Sequence, residues 1–599
     1  MIYHCEDHTC NYWDEGEKLP ERCPQCGRKL LRANEADMTG DDWTALGNTL
    51  WDAEASDKKR MVDCFRKAAY LGSAWGVCNL GICMEQGNGV EADPVQAFWL
   101  YQQAVEMGSL NAVCCLGVCY QYGIGTAPDA EKAAELYCKA AEYGSPRGQM
   151  LLAHAFHDGI GVEADAAEAV HWVRAAAYQR YGEGMYRLGV CYEYGDGVEQ
   201  NWERAVHWFR EAAESGVSVA MTDLGYCYEK GCGVEQSWEQ AFSWYRRGAE
   251  CGYPVSMSNL GLCYKRGYGV DQNWQEAIKW YEQGAQCGDL QSMHNLACCY
   301  ERGEGVEQNE ERALYWYRRS AEGGNGDAMC NLGRCYERGY GVEQNWQEAV
   351  KWYEQGAQCG NLQSMHSLAY CYERGEGVKQ NMTEAIRWYT AAAEGGNADA
   401  MHNLGWLYDH GEGVEQDMKK AICWYERAAE QNHPAAMNSL GECYAMGRGV
   451  PRDLETAMEW YRRAAELGEA MADYNMGWHL EQAGKLSEAY AHYRKAADGN
   501  DDSAWWALGR FYENGVVVAQ DGKEARRCYE TGEKLGSVKC KMRLARCKLL
   551  GIGDRREKKA GLDLCRQALE LAKESSEKED YGYEAEMNLL RRTIAENES

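Results

Sequence analysis

The sequence predicts an all-α solenoid of about fifteen antiparallel helix pairs, because a 36-residue period runs through it and helix-capping residues recur with that period. Glycine occupies one position of the period eleven times: Gly87, Gly123, Gly159, Gly195, Gly231, Gly267, Gly303, Gly339, Gly375, Gly411 and Gly447. Such a fixed spacing is the signature of a repeat architecture. Each repeat of such an array packs only on its neighbours. The length of 599 residues therefore does not predict the number of domains.

One period contains the pattern of two helices joined by a turn. Within residues 220–230, apolar side chains recur at helical spacing and predict a first helix, called helix A. Gly231 and Gly233 then predict a tight turn, because glycine adopts positive φ without steric cost. A second apolar stripe within residues 237–252 predicts helix B, which ends at Gly252. Each period is therefore one helix pair.

The first residue of the predicted helix B is a good N-cap in every full copy. These residues are Asp93, Asp129, Asp165, Asn201, Ser237, Asn273, Asn309, Asn345, Asn381, Asp417 and Asp453. Their side chains accept a hydrogen bond from the otherwise unpaired N–H groups of the first helical turn. The start of helix B is thus predicted eleven times by an independent signal.

The repeat pattern sets the predicted domain boundaries. Shorter copies extend the array at both ends, so that the solenoid covers residues 40–575. An apolar stripe within residues 580–597 predicts a final helix that covers the exposed end of the stack. Residues 1–36 lack the repeat and form a separate module.

The repeated order Ala, Leu-Gly, Tyr, Gly-x-Gly-Val, Ala-x-x-Trp-Tyr and Ala-Ala-Glu-x-Gly resembles the Sel1-like repeat, a relative of the tetratricopeptide repeat. The resemblance covers over four fifths of the chain. It implies a right-handed superhelix of antiparallel helix pairs that serves as a scaffold or adaptor in protein complexes. It implies no single enzymatic activity.

Four cysteines in the N-terminal module predict a structural zinc site. The predicted ligands are Cys5, Cys10, Cys23 and Cys26. The two-residue gap between Cys23 and Cys26 lets both thiolates reach one metal, and four protein ligands leave no open position for a catalytic water. The module resembles a zinc ribbon or a rubredoxin-like knuckle, but the first pair has an unusual gap of four. His4 or His8 can therefore replace Cys5, and free thiols, a disulfide or a redox iron stay open as alternatives.

A polar column on helix A is the candidate partner-binding surface. The residue before Leu-Gly in each repeat forms this ladder, which contains Asn79, Asp223, Asn259, Asn295, Asn331, Asn403 and Asn475. In tetratricopeptide-like solenoids, which the repeat resembles, the equivalent Asn faces the concave groove. There its amide can pair with the N–H and C=O groups of an extended peptide. The alternatives are a solvated polar position or a hydrogen bond between repeats.

Two further columns are interpreted as core. A tryptophan column on helix B comprises Trp172, Trp208, Trp244, Trp280, Trp316, Trp352, Trp388, Trp424 and Trp460. A cysteine column on helix A comprises Cys83, Cys119, Cys191, Cys227, Cys263, Cys299, Cys335, Cys371 and Cys443. Large aromatic rings and reduced thiols both behave as buried hydrophobes at such positions. His294, His366 and His402 lie beside the polar ladder as single residues, which does not indicate a metal or catalytic site.

The charge balance favours a basic partner. The chain has 63 basic and 93 acidic side chains, for a formal net charge of -30, which repels polyanions. Residues 523–559 are an exception, and the basic patch there contains Lys539, Lys541, Arg543, Arg546 and Lys548. Such a run binds an acidic partner or nucleic acid, or it is a solvated face, or it docks on the acidic remainder of the chain.

These observations predict a non-enzymatic scaffold that binds an extended or helical segment of a protein partner in the concave groove. The alternative is a nucleic-acid-associated adaptor that uses the zinc knuckle and the C-terminal basic stretch. The N-terminus lacks the basic and apolar pattern of a signal peptide, and no segment approaches 18 uninterrupted apolar residues. We therefore expect a cytoplasmic protein with no membrane contact.

Overall fold

The computed structural model describes residues 2–5, 13–15, 30–32, 35, 38–51, 55–555, 557–578 and 584–598. Three short strands lie in the N-terminal module, which the repeat analysis did not predict: β1 (Ile2–Cys5), β2 (Trp13–Glu15) and β3 (Leu30–Arg32). They form an antiparallel sheet in the order β2-β1-β3. Within the described residues, thirty-one helices follow.

The chain divides into two compact units, Met1–Gln308 (unit 1) and Asn309–Ser599 (unit 2). Unit 1 contains α1 (Gly40–Thr49), α2 (Ala55–Tyr70), α3 (Ala74–Gln86), α4 (Pro94–Glu106), α5 (Leu110–Tyr122), α6 (Ala130–Glu142), α7 (Pro146–Asp158), α8 (Ala166–Tyr178), α9 (Gly182–Tyr194), α10 (Trp202–Glu214), α11 (Ser218–Lys230), α12 (Trp238–Glu250), α13 (Pro254–Arg266), α14 (Trp274–Gln286) and α15 (Leu290–Arg302).

Unit 2 contains α16 (Glu310–Glu322), α17 (Gly326–Arg338), α18 (Trp346–Gln358), α19 (Leu362–Arg374), α20 (Met382–Glu394), α21 (Ala398–His410), α22 (Met418–Glu430), α23 (Pro434–Met446), α24 (Leu454–Glu466), α25 (Ala470–Gln482), α26 (Leu486–Asp498), α27 (Asp502–Asn514), α28 (Gly522–Lys534), α29 (Val538–Leu550), α30 (Lys558–Lys578) and α31 (Glu584–Glu598). Odd-numbered helices up to α29 are A helices and even-numbered helices are B helices. The predicted all-α solenoid of about fifteen pairs is confirmed, and α31 packs against α29 and α30.

The ends of the helices follow the predicted capping chemistry. All eleven predicted N-cap residues accept a hydrogen bond from the first turn of their B helix; Asn273, for example, accepts from the N–H of Glu276 at 3.1 Å. The eleven glycines that set the period end helix A in the left-handed conformation, as Gly267 does at φ 74°. Local sequence therefore fixes both ends of the turn between A and B.

In most repeats a buried tyrosine of helix B packs on a small residue of helix A, usually glycine but alanine at Ala369. A Cβ added to Gly261 would lie 2.5 Å from a ring carbon of Tyr281, so a side chain there would force the ring to shift. The ring column consists of Tyr101, Tyr137, Tyr245, Tyr281, Tyr317, Tyr353, Tyr389, Tyr425, Tyr461, Tyr493 and Tyr529, all fully buried. We call it the aromatic column.

The tryptophan column lies at the edge of this core rather than inside it. Trp244 is buried, but the other eight tryptophans are only half-buried and pack against the outside of the aromatic column. Several carry a guanidinium on the indole face, as Arg463 does over Trp460 at 4.5 Å from the ring centroid. The core prediction for tryptophan is therefore correct only in part, and the neighbouring tyrosine is the central residue.

The cysteine column is buried as predicted, apart from Cys191, which is half-buried. Burial raises the pKa of the Cys263 thiol to about 12, because the thiolate form would lose its hydration. These thiols are therefore protonated near neutral pH and act as small apolar side chains.

The second glycine of each turn fixes how one repeat rests on the one before it. Gly269 has φ 69°, and a Cβ there would collide with the main-chain carbonyl of Trp238, which begins the B helix of the preceding repeat. Gly233 and Gly377 make the same approach to main-chain atoms of their preceding B helices. At these turns, the glycine of one repeat therefore contacts the main chain of the preceding repeat.

Within each unit, the A helices line the inside of the curve. The A helices of successive repeats contact each other directly, as α5 does with α7 and α27 with α29, although a B helix separates them along the chain. Helices that come this close must lie on the shorter side of the stack. We call the exposed faces of the A helices the inner surface. Among the described residues, no helix is both long enough and apolar enough to cross a bilayer.

Candidate partner-binding surface

The predicted polar ladder lies on the A helices. Its members are Asn79 on α3, Asp223 on α11, Asn259 on α13, Asn295 on α15, Asn331 on α17, Asn403 on α21 and Asn475 on α25. Asn79 is buried and the other six are half-buried. The ladder position is occupied by Cys115 on α5 and Arg187 on α9, so it is not polar throughout.

Two ladder amides donate a hydrogen bond to the preceding repeat. Asn79 Nδ2 donates to Asn48 Oδ1 at 2.8 Å, and Asn475 Nδ2 donates to Asn438 Oδ1 at 3.0 Å. Each of these pairs joins two successive A helices. The hydrogen bond between repeats, one of the alternatives for the ladder, is therefore present at these positions. An amide keeps further donor and acceptor capacity after one such bond, so contact with a peptide stays a prediction.

A histidine cluster lies on the inner surface of unit 2. Asn403 Nδ2 lies 3.1 Å from His366 Nε2, and the rings of His402 and His433 stack with centroids 5.2 Å apart. His433 Nε2 lies 3.1 Å from Asp399 Oδ1. Burial lowers the pKa of His402 to about 4, with the neighbouring His433 adding to the effect. His402 is thus neutral at pH 7, and in the described part of the chain no group of three metal-binding side chains converges.

The basic patch on α29 is largely paired within unit 2. Arg543 donates from Nε and Nη2 to both carboxylate oxygens of Glu586, each at 2.7 Å, and from Nη1 to Glu513 at 3.2 Å. Arg546 also bonds to Glu513. Lys539 lies 5.3 Å from the ring centroid of Trp506. Lys541 and Lys548 are half-buried on the same helix. The two arginines therefore dock on acidic side chains of the same chain, the third alternative for this patch.

The repeat assignment is decided by the family match. The Sel1 repeat family matches thirteen segments, at residues 76–109, 112–145, 146–181, 182–217, 218–253, 254–289, 290–325, 326–361, 362–397, 398–433, 434–469, 470–501 and 504–537. These segments cover well over half of the chain and each comprises one A helix and the B helix that follows. The chain belongs to the Sel1 repeat family. Proteins of this family are generally non-catalytic scaffolds for protein–protein interaction.

One solved structure supports the Sel1 assignment. The structure of c5321, a protective antigen of uropathogenic Escherichia coli strains that displays an SLR fold, is 32% identical, with a TM-score of 0.53 over 75% of this chain and 97% of that chain. A Sel1 repeat protein from Oxalobacter formigenes is also 32% identical, with a TM-score of 0.37 over 41% of this chain and 96% of that chain. No curated protein matches the chain significantly.

Sequence reasoning missed two features of this Sel1 repeat protein. The aromatic column carries the core, and its signal was present as a tyrosine after seven of the nine tryptophans in the tryptophan column. Asp399 and His433 complete the histidine cluster, but they lie outside the tryptophan, cysteine and ladder columns. Their signal was a recurring spacing of 34 residues, which also joins Asn361 to Asp327 and Asn397 to Gln363.

The predicted zinc site falls mostly outside the described residues. Cys5 is the last residue of β1, whereas Cys10, Cys23 and Cys26 belong to the part of the module that is not described. The site therefore stays a proposal that rests on the spacing of the cysteines.

We expect the purified full-length protein to contain about one zinc ion per chain, measured by mass spectrometry of the metal. Replacing Cys23 and Cys26 together by serine should remove it, because two of four ligands are lost. A matched control replaces Cys251 and Cys287, two exposed thiols at the ends of α12 and α14, and should leave the zinc content unchanged. A wild-type protein without zinc would refute the site.

Proposed function

We propose that this Sel1 repeat protein is a scaffold that holds an extended or helical segment of a basic partner protein against the inner surface of its repeats. The observation that carries the proposal is the polar ladder, which places amides on six A helices, three of them (Asn259, Asn295 and Asn331) in consecutive repeats. A row of amides at regular spacing suits a main chain, whose N–H and C=O groups also recur at regular spacing.

Neighbouring rungs of the ladder lie within reach of one bound segment. Asn259 and Asn295 are on α13 and α15, two A helices of unit 1 that contact each other directly. Both side chains are half-buried, which limits their rotamers before a partner arrives. Because less conformational entropy is then lost on binding, such preorganised amides favour affinity.

The charge of the chain supports a basic partner. With a formal net charge of -30, the chain attracts cationic segments over distances comparable with the Debye length and accelerates their association. The arginines of the basic patch do not oppose this, because Arg543 and Arg546 are already paired with glutamates. We therefore expect the affinity for the partner to fall as salt is added.

Replacing Asn259 and Asn295 together by alanine should weaken partner binding roughly tenfold or more. Two hydrogen bonds at about 0.5–1.5 kcal/mol each account for a loss of this size. The partner is first captured from native cells with the full-length protein, and its bound segment is mapped by cross-linking. The affinity of that segment for each variant is then measured by calorimetry.

A control variant replaces Gln275 and Gln286, two exposed amides on α14 in the same repeat. It removes the same chemical groups from a B helix and should bind the segment as the wild type does. Equal affinity of the Asn259/Asn295 variant and the wild type would show that the ladder does not contact the partner. Cross-links confined to B helices would place the partner on the outer face and overturn the proposal.

A further inference from the structure

One repeat, residues 146–181, departs from the aromatic column. Its column position is Val173, whereas the repeats on either side have Tyr137 and Phe209. The opposing residue on helix A is Ala153 in place of the usual glycine. Both replacements change the same contact, because the ring of helix B normally lies against that residue of helix A.

The residue that accepts the hydrogen bond of the tyrosine hydroxyl in other repeats is also replaced in this one. Tyr137 donates its hydroxyl to Gln121 Oε1 at 2.6 Å, and Tyr245 donates to Glu229 Oε2 at 2.9 Å, in each case sixteen residues earlier on helix A. In repeat 146–181 the same register gives His157. A buried ring and the acceptor of its hydroxyl are therefore both absent from one repeat, while the surrounding fold is kept.

A cavity of about 320 Å³ lies at this point between α7, α8 and α9 of unit 1. Its apolar wall includes Ala153, Val170 and Val173, three residues that are buried in the repeat core. Side chains at its mouth include His154, His157, Asp158, Glu183, Arg187 and Asp196. An apolar pocket with a few polar groups at its mouth has the construction of a binding site for an amphipathic group.

The mouth of the cavity spans two repeats and holds three carboxylates, one arginine and two histidines. His157 Nδ1 lies 2.5 Å from Asp158 Oδ1, and His157 Nε2 lies 3.2 Å from Asp196 Oδ2 in the next repeat. Glu183 adds a third carboxylate to the mouth, and Arg187 contributes one positive charge. These carboxylates favour a ligand that carries positive charge beside its apolar group.

We propose that this cavity binds a tyrosine side chain from a basic segment of a partner protein. The ring takes the place that the aromatic column fills in the other repeats, and flanking lysines or arginines meet Asp158, Glu183 and Asp196. The proposal rests on the proposed scaffold function and assigns one anchor residue to it.

The comparison between repeat 146–181 and the repeats with a tyrosine also suggests the variant that tests the proposal. Replacing Val173 by tyrosine should fill the cavity from inside, as in the other repeats. Ala153 does not prevent this, because Ala369 faces the fully buried Tyr389 in the same arrangement. Phe209→Tyr is the matched control, since it adds a tyrosine to the aromatic column one repeat later without filling the cavity.

The probe is a blocked pentapeptide, Lys-Lys-Tyr-Lys-Lys, and its comparison peptide has alanine in place of tyrosine. Binding to the full-length protein is measured by calorimetry and by NMR of the peptide. We expect the wild type and Phe209→Tyr to bind the tyrosine peptide with the same affinity. The alanine peptide and the Val173→Tyr variant should each weaken binding at least tenfold.

A second cavity variant keeps the test informative if Val173→Tyr does not fold. Val190→Phe narrows the cavity from α9, and both variants are checked by circular dichroism and thermal melting. Equal affinity of both folded variants and the wild type would overturn the proposal, as would equal binding of the two peptides or no binding of the tyrosine peptide. If a folded cavity variant loses the peptide but still binds the partner, the cavity is not the partner's anchor and the scaffold function stands. The Asn259/Asn295 variant tests that function separately, because it lies in other repeats.

Discussion

Replacing Tyr245 by alanine is expected to lower the free energy of unfolding of the surrounding repeats by about 3–5 kcal/mol. Its side chain is 1% exposed, its ring lies against Gly225, and its hydroxyl donates to Glu229 Oε2 at 2.9 Å. Removing the ring leaves a cavity between two helices that a glycine on helix A cannot fill. Hydrogen exchange of α11, α12 and α13, followed by mass spectrometry, measures the local loss.

The variant Tyr245→Phe separates the ring from the hydroxyl. It should cost only about 1 kcal/mol, because Phe keeps the packing and removes a single hydrogen bond. Trp99→Ala, at a side chain that is 64% exposed, should change stability by no more than about 0.5 kcal/mol. If Tyr245→Ala cost no more than Tyr245→Phe, the aromatic column would not be the main support of the repeat.

Replacing Arg543 by methionine is expected to destabilise the C-terminal repeats by about 3–5 kcal/mol. The side chains of Arg543, Glu513 and Glu586 are 14%, 10% and 8% exposed, so the change leaves Glu586 without its cation in a poorly hydrated site and leaves Glu513 with Arg546 alone. Chemical unfolding of the full-length protein, with hydrogen exchange of α27, α29 and α31, measures the effect.

The matched surface control is Arg462→Met. Arg462 also pairs with two glutamates, Glu459 and Glu466, but it is 51% exposed, so water screens the pairs and the variant should keep the stability of the wild type. Changing Glu586 to glutamine in the Arg543→Met background should restore part of the stability, because the uncompensated charge is removed. If Arg543→Met kept full stability and instead weakened nucleic-acid binding, the adaptor alternative would be favoured.

The elements of the fold could be predicted because they depend on short-range chemistry. Asn273 caps α14 through an atom three residues away, and Gly267 ends α13 through its own φ angle. The choice between Trp280 and Tyr281 for the core could not be made in this way. Both lie on the apolar side of helix B, and the choice depends on the facing helix, where the ring of Tyr281 lies against Gly261.

The candidate sites depend on contacts between distant residues, so they were less predictable from the sequence. The position of Asn475 on an A helix follows from the period, but its bond to Asn438 requires the actual distance between two repeats. Likewise, a count of charges shows a basic stretch at Arg543 but not the glutamate that neutralises it 43 residues later. The cavity did leave a signal, since Val173 interrupts a column that is otherwise aromatic.

The backbone contact of the second glycine has a consequence for how this chain can evolve. Because Gly269 abuts the carbonyl of Trp238, this contact between neighbours involves a main-chain atom that every residue type has. A genetic duplication or deletion of one whole period therefore creates a new junction that already fits. The nearly identical segments 273–308 and 345–380 agree with such copying. Lengthening the protein then needs no compensating substitutions, and each added copy is free to diverge towards a new specificity.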